Sequence, residues 1–201
     1  MANHLRYSGL DLECQKQVLA DILRADTLVW PALVLARELD LPDWMVVSGA
    51  IYNTVWNVLT GKPSGHGVRD VDLFYHDDTD LGWDAENAVI QRAAVQFAGL
   101  SHPVEVRNQA RVHLWYPEHF GRECPAYRSS EHSLGFFASR THSVGVRLAL
   151  DNSLAITAPF GLDDMFSMRM IPNRQLDNAR THSEKGARAK ASWPEVKVVA
   201  W

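Results

Sequence analysis

The sequence predicts one α/β (α+β) domain, in which a mixed sheet is flanked by helices. Two observations lead to this fold class. Apolar residues repeat at helical spacing in some segments and at strand spacing in others, and the two kinds of segment alternate along the chain. The chain has 201 residues, 46% of them hydrophobic and 22% charged, which is ordinary usage for a globular domain of this length. We expect a single domain over 1–201, made of N-terminal helices (1–43), a core (44–120) and a β-rich C-terminal extension (121–201).

Composition excludes several classes of protein. The net charge is −4, without the basic excess typical of proteins that bind long nucleic acids. The longest charge-free apolar stretch, 27–36, is ten residues long, whereas a membrane-spanning helix needs about 20. The first residues lack the apolar segment of a signal peptide, and the two cysteines, Cys14 and Cys124, are too few for a disulfide framework. We therefore expect a cytoplasmic protein with no membrane partner.

The N-terminal part reads as two helices followed by a strand. Apolar residues recur every three or four positions from Cys14 to Leu23 and again from Leu28 to Leu39. The short apolar run Trp44–Val47 predicts a buried strand, which stops at Ser48–Gly49. A helical pattern then follows from Ile51 to Leu59.

A loop, a strand and a helix come next. The glycine-rich segment 61–67 predicts a loop, Asp70–Tyr75 a strand, and Asp84–Ala98 a helix. Alternation from Pro103 to Tyr116 predicts one long strand. If extended throughout, it places five polar side chains on one face: Glu105, Arg107, Gln109, Arg111 and His113.

The last third contains more strands. Val144–Leu150 and Leu154–Thr157 flank a polar turn and predict a hairpin. Phe166 to Met170 suggests another core element. Residues 174–192 are polar and basic, which predicts a mobile or surface segment.

Two aspartates on one strand are the first candidate site. In Asp70-Val71-Asp72 the carboxylates point to the same face, with Cα atoms about 6.6 Å apart. Such a pair is costly to bury alone but favourable with a hard divalent cation such as Mg²⁺. The alternative is a solvent-exposed strand face.

Glu105 and the turn at Ser48–Gly49 are the other candidates. A strand–helix–strand link can bring Glu105 beside Asp72, although for Glu105 taken alone an exposed strand position is the better explanation. At Ser48–Gly49 a helix begins after a strand, which suits phosphate binding by free backbone N–H groups, but is also common packing.

Two polar side chains near these acids suit a nucleotide. Asn53 lies one helical turn after Gly49 and could bind a nucleotide or brace the following loop. Arg107 is the basic residue nearest to Glu105 and suits a triphosphate oxygen. The sequence has no P-loop, no Gly-x-Ser-x-Gly elbow and no zinc-type histidine spacing.

Taken in order, these pieces resemble a known superfamily. Val47-Ser48-Gly49-Ala50, Asp70-Val71-Asp72 and Val104-Glu105-Val106 are similar to the motifs of the nucleotidyltransferase superfamily that includes DNA polymerase beta. One departure is that the serine usually follows the glycine, whereas Ser48 precedes it. A closer resemblance is to a bacterial family of predicted nucleotidyltransferases, carried by four segments: Gly49–Asn57, Arg69–Tyr75, Arg107–Tyr116 and Ala158–Asp164.

The resemblance implies a function and a set of residues. It implies metal-dependent transfer of a nucleotidyl group from an NTP to a hydroxyl of a small-molecule or protein acceptor, with release of pyrophosphate. Mg²⁺ is the expected ion, with Mn²⁺ as the alternative. The implied catalytic residues and metal ligands are Asp70, Asp72 and Glu105, and the nucleotide-binding residues are Ser48, Gly49, Asn53 and Arg107. The second interpretation is a nucleotide-binding or regulatory module with little or no turnover.

Overall fold

The computed structural model describes residues 3–201, so residues 1 and 2 of the predicted N-terminal part lie outside the described residues. The helices are α1 (Leu12–Ala25), α2 (Val29–Glu38), α3 (Gly49–Thr60), α4 (Trp83–Gln96), α5 (Val112–Phe120), α6 (Ser130–Leu134), α7 (Asp163–Phe166) and α8 (Ala179–Ser192). The strands are β1 (Met45–Val47), β2 (Val71–Tyr75), β3 (Val104–Asn108), β4 (Gly145–Leu148), β5 (Leu154–Thr157), β6 (Arg169–Met170) and β7 (Lys197–Val198). This alternation confirms the predicted fold class.

The main sheet has five strands in the order β3-β2-β1-β4-β5. Strands β2 and β3 are parallel, while β1–β2, β1–β4 and β4–β5 are antiparallel. Val47 lies opposite Asp72 and Asp72 lies opposite Glu105, so the three side chains form a row across the sheet. Strands β6 and β7 form a separate parallel pair.

One face of the sheet packs against the hydrophobic core. Alternate residues of β2, including Val71, Leu73 and Tyr75, are buried. They join residues of α1, α2, α3 and α4 in one large apolar cluster. The predicted N-terminal helices thus cover the face of the sheet that lies opposite the row of Asp72 and Glu105.

The other face carries the polar row and is covered by the segment after β3. Met45 and Val47 of β1 pack with Leu134, beside Phe74 and Phe137. This smaller apolar cluster holds the covering segment against the sheet.

The predicted long strand 103–116 is wrong beyond Asn108. The Asn108 side chain accepts a hydrogen bond from the Ala110 N–H at 3.1 Å, which starts a 3₁₀ turn over Gln109–Arg111 that leads into α5. Arg111 is 8% exposed and pairs with buried Glu86 instead of sharing a face with Glu105. The alternation of polar and apolar residues continues past Asn108, so it does not reveal that a side-chain cap ends the strand there.

The polar segment 174–192 lies largely at the surface, which is one of the two predicted alternatives, but most of it is helical. Residues 179–192 form α8, which buries His182, Gly186 and Ala189 and exposes most of its charged residues. Strands β4 and β5 belong to the same sheet as β1, so the C-terminal part completes the core of the fold. No helix within residues 3–201 combines the length and the apolar character needed to cross a membrane.

Candidate active site

The turn between β1 and α3 has an unusual backbone. Ser48 has φ 57° and ψ −114°, a conformation that is uncommon for a residue with a side chain and that is often found at functional sites. Its carbonyl accepts hydrogen bonds from the N–H groups of Ile51 and Tyr52. The N–H groups of Gly49 and Ala50 have no acceptor among residues 3–201. The start of α3 is therefore available to an anion.

A cavity of about 510 Å³ opens beside this turn. We call it the charged cavity, because its lining includes two acids and three bases: Asp70, Asp72, Arg69, Lys185 and Arg188. Gly49, Tyr52 and Trp193 also line it. The volume lies within the range of about 300–1,000 Å³ that is usual for small-molecule sites.

The two predicted aspartates both line this cavity. The pKa of Asp72 is raised to about 6, chiefly by burial and also by neighbouring Asp70 and Glu105, while Lys185 and Arg107 oppose the shift. Burial lowers the pKa of the Lys185 ammonium, and Asp72 and Asp70 oppose that shift. Asp72 and Lys185 therefore face each other as partly desolvated opposite charges.

Glu105 is beside Asp72 in the sheet but points to a more exposed region. Its carboxylate lies 3.6 Å from the Arg107 guanidinium, and the two side chains are 51% and 42% exposed. Neither side chain lines the charged cavity. In the part of the chain that the structure describes, no three His, Cys, Asp or Glu side chains are arranged as a ready-made metal site.

The two asparagines of α3 brace the loop before β2. The Asn53 side-chain amide donates to the Gly67 carbonyl at 3.2 Å, and that of Asn57 donates to the His66 carbonyl at 2.9 Å. The Asn57 side-chain oxygen accepts from the Trp193 indole N–H at 3.0 Å. The hydrogen bond of Asn53 to Gly67 supports the interpretation that Asn53 braces this loop. Asn53 also lines the charged cavity, so a contact with a nucleotide stays open.

Helix α8 supplies cavity residues that sequence reasoning missed. Thr181, Lys185, Arg188 and Ser192 are spaced by four, three and four residues, so they lie along one side of the helix. Each of them lines a cavity next to Asp72. Their helical spacing is a sequence signal that predicts a helix with one functional side, but it is hard to recognise in a segment where most residues are polar.

A second cavity, of about 280 Å³, lies on the other side of Asp72 and Lys185, which line both. We call it the aromatic cavity, because seven aromatic side chains besides His142 line it: Phe74, Trp115, Tyr116, Phe120, Tyr127, Phe136 and Phe137. Ser48 and Arg107 line this cavity and not the charged one.

Two buried polar side chains of the aromatic cavity have no partner. Ser48 is 2% exposed and His142 is 1% exposed, and neither the Ser48 hydroxyl nor either His142 ring nitrogen makes a hydrogen bond within residues 3–201. Burial lowers the pKa of His142 well below its usual value, so the imidazole is neutral. Its ring stacks on Tyr52 at a centroid distance of 4.6 Å. Unpaired buried groups of this kind are rare in folded proteins.

The predicted site residues therefore divide between the cavities. Gly49, Asn53 and Asp70 line the charged cavity, Ser48 and Arg107 line the aromatic cavity, and Asp72 lines both. Glu105 lines neither and joins the site through its place beside Asp72.

Comparison with known proteins identifies a solved structure and a protein family that are similar to this chain. The chain is similar to a structure described as an NMR structure that reveals a CCA-adding enzyme head domain, with a TM-score of 0.76 and 19% identity, over 92% of this chain and 96% of that one. The architecture is that of a nucleotidyltransferase head domain. A sequence model of the family described as Nucleotidyltransferase matches residues 34–198.

The chain therefore belongs to this nucleotidyltransferase family, as the resemblance predicts. The matched range includes α8, which lies outside the predicted core of 44–120. No curated protein matches the sequence.

Proposed function

We propose that the protein is a metal-dependent nucleotidyltransferase, which transfers a nucleotidyl group from an NTP to a hydroxyl of a small-molecule or protein acceptor and releases pyrophosphate. The observation that carries this proposal is the charged cavity. There, paired aspartates face Lys185 and Arg188 at the open N-terminus of α3, in a chain of the nucleotidyltransferase family.

The donor set of the charged cavity suits a hard divalent cation. Asp70 and Asp72 lie two residues apart at the start of β2, and the raised pKa of Asp72 reflects the burial of its own carboxyl group without full compensation. Magnesium is usually held by one or two carboxylates, with water and phosphate oxygens as its other ligands, so two aspartates suffice. When bound, Mg²⁺ or Mn²⁺ would neutralise charge on the phosphate oxygens.

The remaining residues would orient the triphosphate. Lys185 and Arg188 supply positive charge from α8, and Arg69 supplies it from the loop before β2. The free N–H groups of Gly49 and Ala50 would donate to a phosphate oxygen. Apart from the adjacent residues and the backbone of α3 itself, no heavy atom lies within 4 Å of the place where a Cβ of Gly49 would be, so a phosphate can approach the backbone there.

The transfer itself is an in-line displacement. The acceptor oxygen forms a bond to the α-phosphorus, the bond from that phosphorus to the bridging oxygen breaks, and pyrophosphate leaves. Glu105 would take the hydroxyl proton, because it is next to Asp72 and its carboxylate is accessible. Arg107, 3.6 Å from Glu105, would hold that carboxylate in place.

The test is turnover with α-phosphate-labelled NTPs. The protein, Mg²⁺ and each of the four NTPs are incubated with a bacterial metabolite extract or protein extract, and both pyrophosphate and labelled product are followed. We expect Asp70→Asn plus Asp72→Asn to reduce transfer by at least about 100-fold, the scale of losing transition-state charge stabilisation.

The matched control is Asp78→Asn plus Asp84→Asn, which removes the same charge from exposed residues outside both cavities. Equal activity in the two double variants would contradict the proposal. Mg²⁺-dependent NTP binding without any labelled product would instead support a nucleotide-binding or regulatory module.

A further inference from the structure

The aromatic cavity has the size of a site for one substituted ring. An engineered apolar cavity of about 150 Å³ binds benzene, and this cavity is nearly twice as large, at about 280 Å³. Phe74 from the sheet and Phe137 from the covering segment contact each other edge to face, with centroids 5.8 Å apart, and both line the cavity. Aromatic walls favour an aromatic occupant beyond simple burial, because rings attract one another in edge-to-face and offset-stacked arrangements.

The charges in and beside this cavity nearly balance, which favours a neutral occupant. Asp72 is its only acidic lining residue among those that the structure describes, and Arg107 and Lys185 bring two positive charges. The other polar lining residues are neutral. The Glu105 carboxylate lies 3.6 Å from the Arg107 guanidinium, so the wall holds no uncompensated charge of either sign. A charged acceptor would therefore lose its hydration without gaining a partner of opposite charge, whereas a neutral acceptor would avoid that cost.

The unpaired Ser48 hydroxyl and the neutral His142 ring give the ligand a polar end. The hydroxyl can donate or accept, and a neutral imidazole has one donor and one acceptor nitrogen. Both residues are almost fully buried, so leaving their polar atoms unpaired is unfavourable. A ligand hydroxyl or ring heteroatom in the cavity could satisfy them.

Position links the cavity to the proposed reaction. Asp72 and Lys185 form the boundary shared with the charged cavity, so a hydroxyl bound on the aromatic side would lie next to the α-phosphate of an NTP on the other side. We infer that the aromatic cavity is the acceptor site and that the acceptor is a neutral small molecule that carries a hydroxyl group and an aromatic ring. This inference rests on the proposed function of the charged cavity.

Binding of simple probes tests the inference without knowledge of the natural acceptor. The probes are 2-(4-hydroxyphenyl)ethanol, its amine analogue 2-(4-hydroxyphenyl)ethylamine, and adenosine, which supplies a ring and hydroxyls from a nucleoside. Ligand-observed NMR titration measures each dissociation constant on the full chain. We expect the phenolic alcohol or adenosine to bind at least about threefold more tightly than the amine.

A variant that fills the cavity gives the specific test. Thr181→Trp places a large ring at a partly exposed position of α8 that lines only the aromatic cavity. Ala187→Trp is the matched control on the exposed side of the same helix and lines neither cavity. We expect Thr181→Trp to weaken probe binding about tenfold and Ala187→Trp to leave it unchanged. Thr181→Leu is a smaller replacement if the tryptophan variant fails to fold.

Calorimetry with Mg²⁺ and each NTP on the same preparations separates the two proposals. Retained NTP binding in Thr181→Trp with lost probe binding supports the inference, and whichever neutral probe responds identifies the source of the ring. Equal probe binding in the two tryptophan variants overturns the inference but not the proposed function. Probe binding without any NTP binding overturns the acceptor role, because the donor would then be missing.

Discussion

At the scale of single residues, Asp72 connects the fold to the proposed chemistry. It is the middle of the row Val47, Asp72 and Glu105, and it borders both cavities. Its carboxyl group is partly buried, and no described residue donates a hydrogen bond to it. The fold therefore tolerates an unfavourable charge at this position, which is typical of functional sites.

This charge makes stability depend on pH in a defined direction. The pKa of Asp72 rises from 3.8 in the unfolded chain to about 6 in the folded one, so the folded state binds the proton more tightly. The protonated Asp72 side chain therefore contributes to the free energy of unfolding. This contribution is fully present below about pH 4 and is lost as the pH rises through about 6. We expect Asp72→Asn to increase the free energy of unfolding by up to about 3 kcal/mol at pH 8 and by almost nothing at pH 3.5.

Urea unfolding across this pH range measures the free energy of unfolding of the wild type and of Asp72→Asn. The other titrating groups are the same in both proteins, so their contributions cancel in the difference. Asp78→Asn, at an exposed position, is the control and should show no such trend. A difference between wild type and Asp72→Asn that stays constant from pH 3.5 to 8 would contradict the burial of this charge.

Gly49 provides a second prediction at this scale. An added Cβ would meet no heavy atom within 4 Å beyond its own helix backbone and adjacent residues, and the φ of Gly49 is outside the left-handed region. Gly49→Ala should therefore fold as well as the wild type. The methyl group would, however, occupy the space through which a phosphate reaches the start of α3. We expect Mg²⁺–NTP affinity to fall about tenfold by calorimetry, while melting temperature is maintained.

Gly99→Ala is the matched control, since Gly99 also has free space for a Cβ but lies outside both cavities. It should change neither quantity. Unaltered NTP affinity in Gly49→Ala would show that the helix start does not contact phosphate.

At the scale of elements, α8 changes the description of the site most. The sequence predicts acids on β2 and β3, but two cations of the charged cavity, Lys185 and Arg188, come from a helix that begins more than 100 residues after β2. The helix is held in place by buried His182, whose ring nitrogens contact the Ser139 hydroxyl at 2.6 Å and the Val199 carbonyl at 2.8 Å. Its cationic side is therefore fixed toward Asp72.

We expect Lys185→Gln plus Arg188→Gln to weaken Mg²⁺–NTP binding by at least about tenfold and to reduce its dependence on salt. Arg180→Gln plus Lys190→Gln removes the same charge from α8 at positions outside both cavities, and should leave binding near the wild-type value. Calorimetric titrations at low and high salt measure both effects. Equal losses in the two double variants would indicate only a general effect of net charge.

At the scale of the whole molecule, the C-terminal segment closes the charged cavity against the loop before β2. Trp193 packs edge to face on Trp56, with centroids 5.3 Å apart, and covers Gly67. A Cβ at Gly67 would lie 2.3 Å from the Trp193 ring, and the φ of Gly67 is +72°. Gly67→Ala should therefore lower the free energy of unfolding by about 2–4 kcal/mol, through backbone strain and overpacking.

Gly61→Ala separates these two causes, because Gly61 has φ +70° but nothing within 4 Å of its Cβ position. We expect a loss of about 1 kcal/mol there, from strain alone. Urea unfolding measures both variants, and equal losses would mean that Trp193 does not pack against the loop.

The fold class, the N-terminal helices, the hairpin and the row of Asp72 and Glu105 follow from sequence periodicity and strand spacing. Three features do not follow, each for a physical reason. The end of β3 depends on the cap made by the Asn108 side chain. The position of Lys185 and Arg188 in the charged cavity depends on how α8 packs against distant parts of the chain. Ser48 lines the aromatic cavity while Gly49 lines the charged one, and this separation of two adjacent residues depends on the unusual backbone conformation of Ser48.

The central claim is that the charged cavity binds an NTP together with a divalent cation through Asp70 and Asp72. The most direct measurement is calorimetric titration of the wild type and of Asp70→Asn plus Asp72→Asn with each NTP, in Mg²⁺ and in EDTA. We expect saturable binding of at least one NTP in Mg²⁺, weakened about tenfold or more both by EDTA and by the double substitution. Binding that is equal in all these conditions, or no binding of any NTP to the wild type, would contradict the claim.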